Sequence, residues 1–123
     1  DGAWDGLARL AARAHAYADF GLLAGDGDDL VHLSNADASG PRRLAPGTYA
    51  LSNGPLDSPW PKVRRARAAL EALLAGPRPP DADALFDVLD DRAPAPDDEL
   101  PDTGVGRALE RALSPAFVVG RDY

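Results

Sequence analysis

The sequence has 123 residues, of which 45% are hydrophobic, and this length supports one domain core rather than two. Its formal net charge of −7 argues against nucleic-acid binding, because an acidic surface repels a phosphate backbone. The absence of cysteine excludes a disulfide framework, a thiolate metal site and a cysteine nucleophile within these residues.

The apolar runs of the sequence are short, and none approaches the roughly 20 residues that a membrane-spanning helix requires. We therefore expect no membrane span and a reducing, cytoplasmic compartment. The sequence contains no methionine, even at position 1, and its last residues, FVVGRDY, still have a strand-like composition. We expect it to be a piece of a longer domain, and no pattern in it indicates an oligomeric state.

The first half of the chain predicts a helix followed by three strands. Over residues 3–18, apolar side chains recur at helical spacing. Residues 20–35 predict a β-hairpin that turns at Asp26–Asp29, because two apolar runs flank a Gly/Asp cluster. Residues 48–53 predict a third strand after a loop. The apolar face of the helix is expected to contain Trp4, Leu7, Leu10, Ala11, Ala14 and Ala18.

The second half predicts three helices, over residues 59–75, 81–91 and 105–114, and a closing strand over residues 116–120. In the middle helix we expect Asp81 as the N-cap. Its inward-facing residues are expected to be Leu85, Phe86 and Leu89. The order of elements indicates an α+β fold, in which an antiparallel sheet packs with helices.

Two sets of residues have the chemistry of a metal site. The carboxylates of Asp26–Asp29 suit calcium, but the spacing lacks an EF-hand loop, and turn chemistry favours a solvated hairpin turn. His15 and His32 suit a metal or haem iron, but neither has a second ligand at a telling spacing. The residues favour a packing or surface role for both, and we predict no metal site.

A basic cluster, defined as Lys62, Arg64, Arg65 and Arg67, lies in the first turns of a predicted helix. The helix macrodipole disfavours positive charge there. One interpretation is an anion site for a carboxylate or phosphate group. The other is a solvated helix face with Arg67 paired to Glu71, and the residues alone favour this second interpretation.

The segment LSNGPLDSPWPKV is stiffened by three prolines that fix the backbone φ angle. Asn53 stands at the predicted strand end, where its amide donors suit the stabilisation of an oxyanion in a cleft. The alternative is an amide that closes a turn, with Trp60 as a hydrophobic plug, and local chemistry favours that alternative. If Asn53 and Trp60 belong to a site, we expect the prolines to hold them in place before any ligand arrives.

A longer segment, APGTYALSNGPLDSPWPKV, resembles the Gly-x-Tyr-x-Leu-Ser-Asn and Leu-Asp-x-Pro-Trp-Pro-Lys-Val blocks of the NRDE family, the transport-and-Golgi-organisation proteins. LPDTGVG followed by ERALSPAFV resembles a second block of that family. FGLLAGDGDDLVHLSN resembles the preceding hairpin, with Gly21 where asparagine is usual. The chain is identified as a member on these blocks, which span nearly its whole length.

The resemblance implies that residues 1–123 are the C-terminal portion of a single, longer NRDE domain. The family's N-terminal cysteine and its Asn-Arg-Asp-Glu motif have no counterpart here, and Tyr123 matches the first residue of a following Tyr-Gly-Thr-Arg segment. It also implies part of an αββα sandwich of the N-terminal-nucleophile-hydrolase type. In bile-salt-hydrolase relatives of that fold, a Thr-Asn-x-Pro segment places an amide near the oxyanion. LSNGP is similar to it, which favours Asn53 as a site residue.

Family members have been linked to haem trafficking and lipid homeostasis, which implies binding and intracellular trafficking of haem or a similar small amphipathic anionic ligand. Asn53 would be the polar anchor, Trp60 the apolar wall and Lys62 the contact to the anion. The expected ligand-binding residues are Asn53, Asp57, Trp60, Lys62, Arg64 and Arg65. For Asp57, capping of the next helix is an alternative.

Two other functions stay open. The first is an amide hydrolase whose N-terminal cysteine lies outside this sequence, with Asn53 as the oxyanion donor. The second is a degenerate member of the fold that acts as an interaction scaffold. The residues therefore do not decide whether the domain is an enzyme, and haem is the ligand that the resemblance suggests.

Overall fold

The computed structural model describes residues 2–37, 39–118 and 120. The chain divides into two compact units, which are Asp1–Gly47 with Leu51–Leu56, and Thr48–Ala50 with Asp57–Tyr123. The first unit contains α1 (Ala3–Ala11), a 3₁₀ turn (Ala14–Ala16), β1 (Gly21–Gly25), β2 (Leu30–Ser34) and β3 (Arg42–Arg43). The second contains α2 (Pro61–Leu74), α3 (Ala82–Leu89) and α4 (Arg107–Ala112). An α+β composition with an antiparallel sheet is confirmed.

The predicted hairpin is confirmed, with β1 and β2 antiparallel and Gly25 opposite Leu30. Asp26 builds the turn, because its carboxylate accepts from the backbone amides of Asp28 at 3.2 Å and Asp29 at 2.9 Å. Its second oxygen accepts from the Ala3 amide at 2.6 Å. A carboxylate from the hairpin therefore accepts a hydrogen bond from the first residue of α1, where the helix dipole favours negative charge.

The core of the first unit lies between α1 and the hairpin. Leu7, Val31 and Leu33 are buried there. Val31 and Leu33 alternate along β2, so they share the face of the sheet that α1 covers. Trp4, Leu10 and Ala11 of the predicted helix face pack around these residues, together with Ala3, Phe20 and Ala24. The helix predicted over residues 3–18 is too long, because α1 ends at Ala11, and Ala18 is exposed.

The predicted third strand at residues 48–53 is wrong, because the segment contains no strand. The third strand is β3, which pairs antiparallel with β2 and lies in the predicted loop. The backbone N–H of Ala50 donates to the Asp57 side chain at 2.9 Å, and its carbonyl accepts from the Asp57 amide at 2.9 Å. Because Asp57 engages both backbone groups of Ala50, they are not part of a strand ladder.

The three predicted helices of the second unit are present as α2, α3 and α4, with shorter bounds. Asp81 is the N-cap of α3, as predicted, and its side chain accepts from the Ala84 amide at 2.9 Å. The predicted inward face of α3 is wrong. Its half-buried residues are Ala84 and Val88, one turn apart, whereas those predicted to face inward are exposed, namely Leu85, Phe86 and Leu89.

The closing strand predicted over residues 116–120 is not formed by residues 116–118, while Val119 and Tyr123 lie outside the described residues. The Phe117 amide donates instead to the Asp91 carbonyl at 2.9 Å, a bond to the segment after α3 rather than to a strand. The longest described helix, α2, has 14 residues, and no helix in the described part of the chain is long and apolar enough to cross a bilayer.

Candidate functional site

A cleft of about 500 Å³ lies in the first unit, where the end of the hairpin meets the segment that carries Asn53. Asn53 is exposed and lines this cleft. The lining combines apolar, amide, hydroxyl and carboxylate side chains, a mixture that suits an amphipathic ligand. The residues that line it are Asp19, Phe20, Gly21, Ser34, Ala36, Asp37, Ser52, Asn53, Gly54 and Pro55.

The wall of the cleft is organised by Asn35, which directly follows β2. Its side-chain nitrogen donates to the carbonyls of Ala14 and Ala18, both at 3.1 Å. Its side-chain oxygen accepts from the Phe20 amide at 2.7 Å, and its own backbone amide donates to the Phe20 carbonyl at 3.3 Å. One amide therefore fixes the chain where it enters β1. The sequence did not predict this role for Asn35, although Ser34 and Asn35 end the hairpin segment that resembles the NRDE family.

Gly21 matches the position where the related hairpin usually has asparagine, and the Leu51 side chain packs closely against it. A β-carbon added at Gly21 would lie 3.0 Å from the Leu51 Cδ1 atom. Leu51 would have to shift to accommodate any side chain there. The close contact places the start of the 51–56 segment directly against β1, which brings Ser52 and Asn53 to the cleft.

The cleft is acidic. The Ser39 hydroxyl and the Ser39 backbone amide both hydrogen-bond to the Asp37 carboxylate and hold the pKa of that carboxyl below its usual range. Asp37 is therefore ionised at neutral pH. Asp19 adds a second carboxyl group, and the described residues that line the cleft include no Lys or Arg. A ligand with a carboxylate would have to point that group away from Asp37.

The Asn53 amide is available to a ligand, because no described residue hydrogen-bonds its side chain. The turn-closing role that local chemistry favoured for Asn53 belongs to Asp57. The backbone of Asp57 has a φ of 58°, in the left-handed region that Asp tolerates better than most residues. Asp57 does not cap α2, whose N-cap residue is Trp60 and has no side-chain capping bond.

Trp60 and Lys62 are brought together at the start of α2. The Lys62 ammonium lies 5.6 Å from the centroid of the Trp60 ring and donates to the Leu113 carbonyl at 3.0 Å. Burial lowers the pKa of Lys62, and the nearby Glu110 carboxylate opposes that shift. Lys62 is thus a half-buried cation with one hydrogen-bond acceptor among the described residues.

The remaining cations of the basic cluster contact carboxylates of the chain. Arg65 bonds to the Asp91 carboxylate at 2.6 Å and to the Ala93 carbonyl at 2.8 Å. Arg64 pairs with Glu99. These contacts join α2 to the acidic segment that follows α3. The basic cluster is therefore not the simply solvated helix face that the residues alone favoured.

Arg67 lies 3.7 Å from Glu71, the partner predicted from the sequence, and 3.5 Å from the Asp57 carboxylate.

The six predicted site residues fall into two groups. Asn53 belongs to the first unit, and the other five belong to the second. Their shared role in ligand binding stays a prediction.

Neither histidine lines the cleft. His15 is exposed, whereas His32 is buried in β2, and no described residue hydrogen-bonds its Nε2 atom. Burial lowers the pKa of His32, and the positive charge of Arg42 lowers it further. In the part of the chain that the structure describes, no three His, Cys, Asp or Glu side chains group as a metal site would require.

Comparison with known proteins places the chain among longer relatives. A sequence model of the family Transport and Golgi organisation 2 matches residues 1–123. The Transport and Golgi organization protein 2 homolog of Homo sapiens is 33% identical, over 88% of this chain and 42% of the human protein. The Bos taurus homolog is 40% identical over 46% of this chain and 22% of its own length. The Mus musculus homolog is 32% identical, over 80% of this chain and 39% of the mouse protein. The chain spans less than half the length of these curated relatives.

Proposed function

Because the chain belongs to the Transport and Golgi organisation 2 family, we propose that it serves intracellular trafficking by binding a small amphipathic ligand in the cleft around Asn53. The names of the relatives, which refer to transport and Golgi organisation, support the trafficking part of the proposal. The observation that carries the binding part is an exposed amide with no protein partner among the described residues, on the wall of a cleft of about 500 Å³. Small-molecule pockets typically measure about 300–1,000 Å³.

The lining favours a particular orientation of the ligand. Phe20, Ala36 and Pro55 offer apolar contact, and the Asn53 amide offers two N–H donors for an uncharged oxygen. The Asp37 carboxylate repels an anionic group, so the carboxylates of a ligand point out of the cleft. Haem, with an apolar ring and carboxylates along one edge, is the first ligand to test.

Three predictions from the sequence are not tested by the contacts of the described residues. They are the anion contact by Lys62 beside Trp60, the αββα sandwich of the N-terminal-nucleophile type, and the position of residues 1–123 within a longer domain. The amide-hydrolase and scaffold interpretations likewise stay predictions.

The proposal is tested by titrating haem into the chain and following the haem absorbance. We expect saturable binding that Asn53→Ala weakens about two- to tenfold, since one hydrogen bond is worth about 0.5–1.5 kcal/mol. Ala36→Trp fills the cleft and should abolish binding. Ala72→Trp, at an exposed position of α2, is the matched control and should leave affinity unchanged.

Two further variants separate the cleft from the start of α2. Trp60→Ala and Lys62→Ala remove the stacked pair at the helix N-terminus. If these two weaken binding while Ala36→Trp and Asn53→Ala do not, the ligand does not bind in the cleft, and the proposal for Asn53 is wrong.

A further inference from the structure

Helix α3 turns its large apolar side chains towards solvent. Phe86 is 68% exposed, Leu89 is 59% exposed and Leu85 is 41% exposed. They lie at relative positions i, i+1 and i+4, so they form one stripe along the helix. The helix contacts α2, but its half-buried residues are the smaller Ala84 and Val88. The contact between α2 and α3 therefore leaves this stripe uncovered.

An acidic edge runs beside the stripe. At 100° per residue, Asp83 and Asp87 lie one turn apart on the side of the helix next to Phe86. The helix contains no Lys or Arg. Across residues 2–37, 39–118 and 120, no cation forms an ion pair with either carboxylate.

The position of Asp87 is locally unfavourable, whereas Asp83 lies in the first turn, where the helix dipole favours its charge. Two like charges at i and i+4 repel each other along a helix. Asp87 also lies in the last turns, where the helix dipole disfavours a negative charge. Asp90, the C-cap residue, adds another carboxylate, although Arg92 pairs with it at 2.7 Å. A cationic partner that contacts Asp83 and Asp87 relieves both effects.

We propose that the exposed face of α3, formed by Leu85, Phe86 and Leu89 with Asp83 and Asp87, binds a basic amphipathic helix of a partner protein. The apolar stripe supplies the contact area, and Phe86 supplies an aromatic side chain of the kind enriched in interface cores. The two carboxylates receive Lys or Arg side chains on the edge of the partner helix.

Charge selects this occupant over two others. A second copy of the chain would place the same aspartates against each other, within a molecule whose net charge is already −7. A membrane surface with anionic lipids would repel the acidic edge. The proposed surface is formed by α3 of the second unit, whereas the residues that line the cleft belong to the first unit.

The test uses the whole chain and a fluorescent peptide of about 18 residues with Leu and Lys on opposite helix faces. We expect saturable binding by anisotropy. The double variant Phe86→Ser with Leu89→Ser should weaken it by at least about tenfold. Asp83→Asn with Asp87→Asn should weaken it several-fold and reduce its dependence on salt. A peptide with Glu in place of Lys should not bind.

A matched pair of single variants controls for the loss of an exposed leucine. Leu85 on α3 is 41% exposed, and Leu109 on α4 is 42% exposed. Leu85→Ser should weaken binding, and Leu109→Ser should not. Phe86→Ser alone keeps the test valid if the double variant does not fold, as judged by circular dichroism.

Three results would overturn the proposal. The first is equal affinity of wild type and Phe86→Ser for the basic peptide, which would mean that net charge alone holds it. The second is binding of the Glu peptide as tight as that of the Lys peptide. The third is concentration-dependent dimerisation of the chain, in sedimentation, that Phe86→Ser abolishes, because the occupant would then be a second copy.

Discussion

Ala50 and Asp57 exchange two hydrogen bonds, each 2.9 Å long. The Ala50 amide donates to the Asp57 carboxylate, and the Asp57 amide donates to the Ala50 carbonyl. The two residues flank the 51–56 segment, so these bonds fix both ends of the segment that carries Asn53. These bonds hold the ends of the segment together, and the role of its prolines in ordering Asn53 and Trp60 stays a prediction.

Asp57→Ala should lower the free energy of unfolding by about 1–3 kcal/mol, because the Ala50 amide loses its acceptor and an alanine must hold a positive φ. Asp57→Asn keeps an acceptor oxygen and tolerates this backbone conformation, so we expect a smaller loss. Urea unfolding measures both. Asp98→Ala, at an exposed position of the same unit, should leave stability unchanged. Equal stabilities of wild type and Asp57→Ala would show that the exchange of bonds does not hold the segment.

Asn35→Asp tests the amide that organises the wall of the cleft. The substitution keeps the size of the side chain but turns its donor nitrogen into a charged oxygen facing the carbonyls of Ala14 and Ala18. We expect a loss of about 1–3 kcal/mol in the free energy of unfolding, since a half-buried acceptor would face two other acceptors. We also expect a larger loss than for Asn35→Ala. The reverse order, in urea unfolding at neutral pH, would contradict the donor role.

His32 should make stability depend on pH just below neutrality. Burial holds the pKa of the folded imidazole below its ordinary value of 6.5. As pH falls through 6.5, the unfolded chain takes up a proton that the folded chain does not, so the free energy of unfolding falls until the folded pKa is passed. His32→Phe should remove this slope. Unfolding curves over that range decide the question, and an unchanged slope would place its origin elsewhere.

Glu110 should contribute a separate loss of stability in acid. The Thr103 hydroxyl and backbone amide donate to its carboxylate at 2.6 Å and 2.7 Å and lower the pKa of Glu110 from 4.5. The stabilisation is present above the unfolded pKa and disappears as pH falls through the folded pKa. Thr103→Val should raise the pKa of Glu110, as measured by NMR titration. A pKa that stays the same in Thr103→Val would contradict the hydroxyl contact.

The parts of the fold that local chemistry determines were predictable. The Gly/Asp cluster identified the hairpin turn, and Asp81 identified the start of α3, because turn and cap preferences act within a few residues. The third strand was not predictable in this way. Residues 48–53 have a strand-like composition, but the Asp57 side chain accepts a hydrogen bond from the Ala50 amide. The strand that pairs with β2 is instead formed by Arg42 and Arg43. The hydrogen bonds of one side chain and the pairing with a neighbouring strand override local preference here.

The candidate site was predictable only in part. The resemblance of LSNGP to a Thr-Asn-x-Pro segment selected Asn53, whereas local chemistry favoured a turn, and in the structure Asn53 lines a cleft. Arg65 was considered for an anion, but its partner is Asp91, a residue 26 positions away that no local pattern links to it. The apolar pattern of α3 was recognised, yet periodicity identifies a stripe without identifying what covers it.

The most direct test of the central claim, that the cleft around Asn53 holds the ligand, is an NMR titration of the labelled chain with a diamagnetic metalloporphyrin. We expect the side-chain amide signals of Asn53 and the backbone signals of Phe20 and Ala36 to shift along one saturation curve. Shifts confined to other residues, with the Asn53 amide unmoved at saturation, would contradict the account.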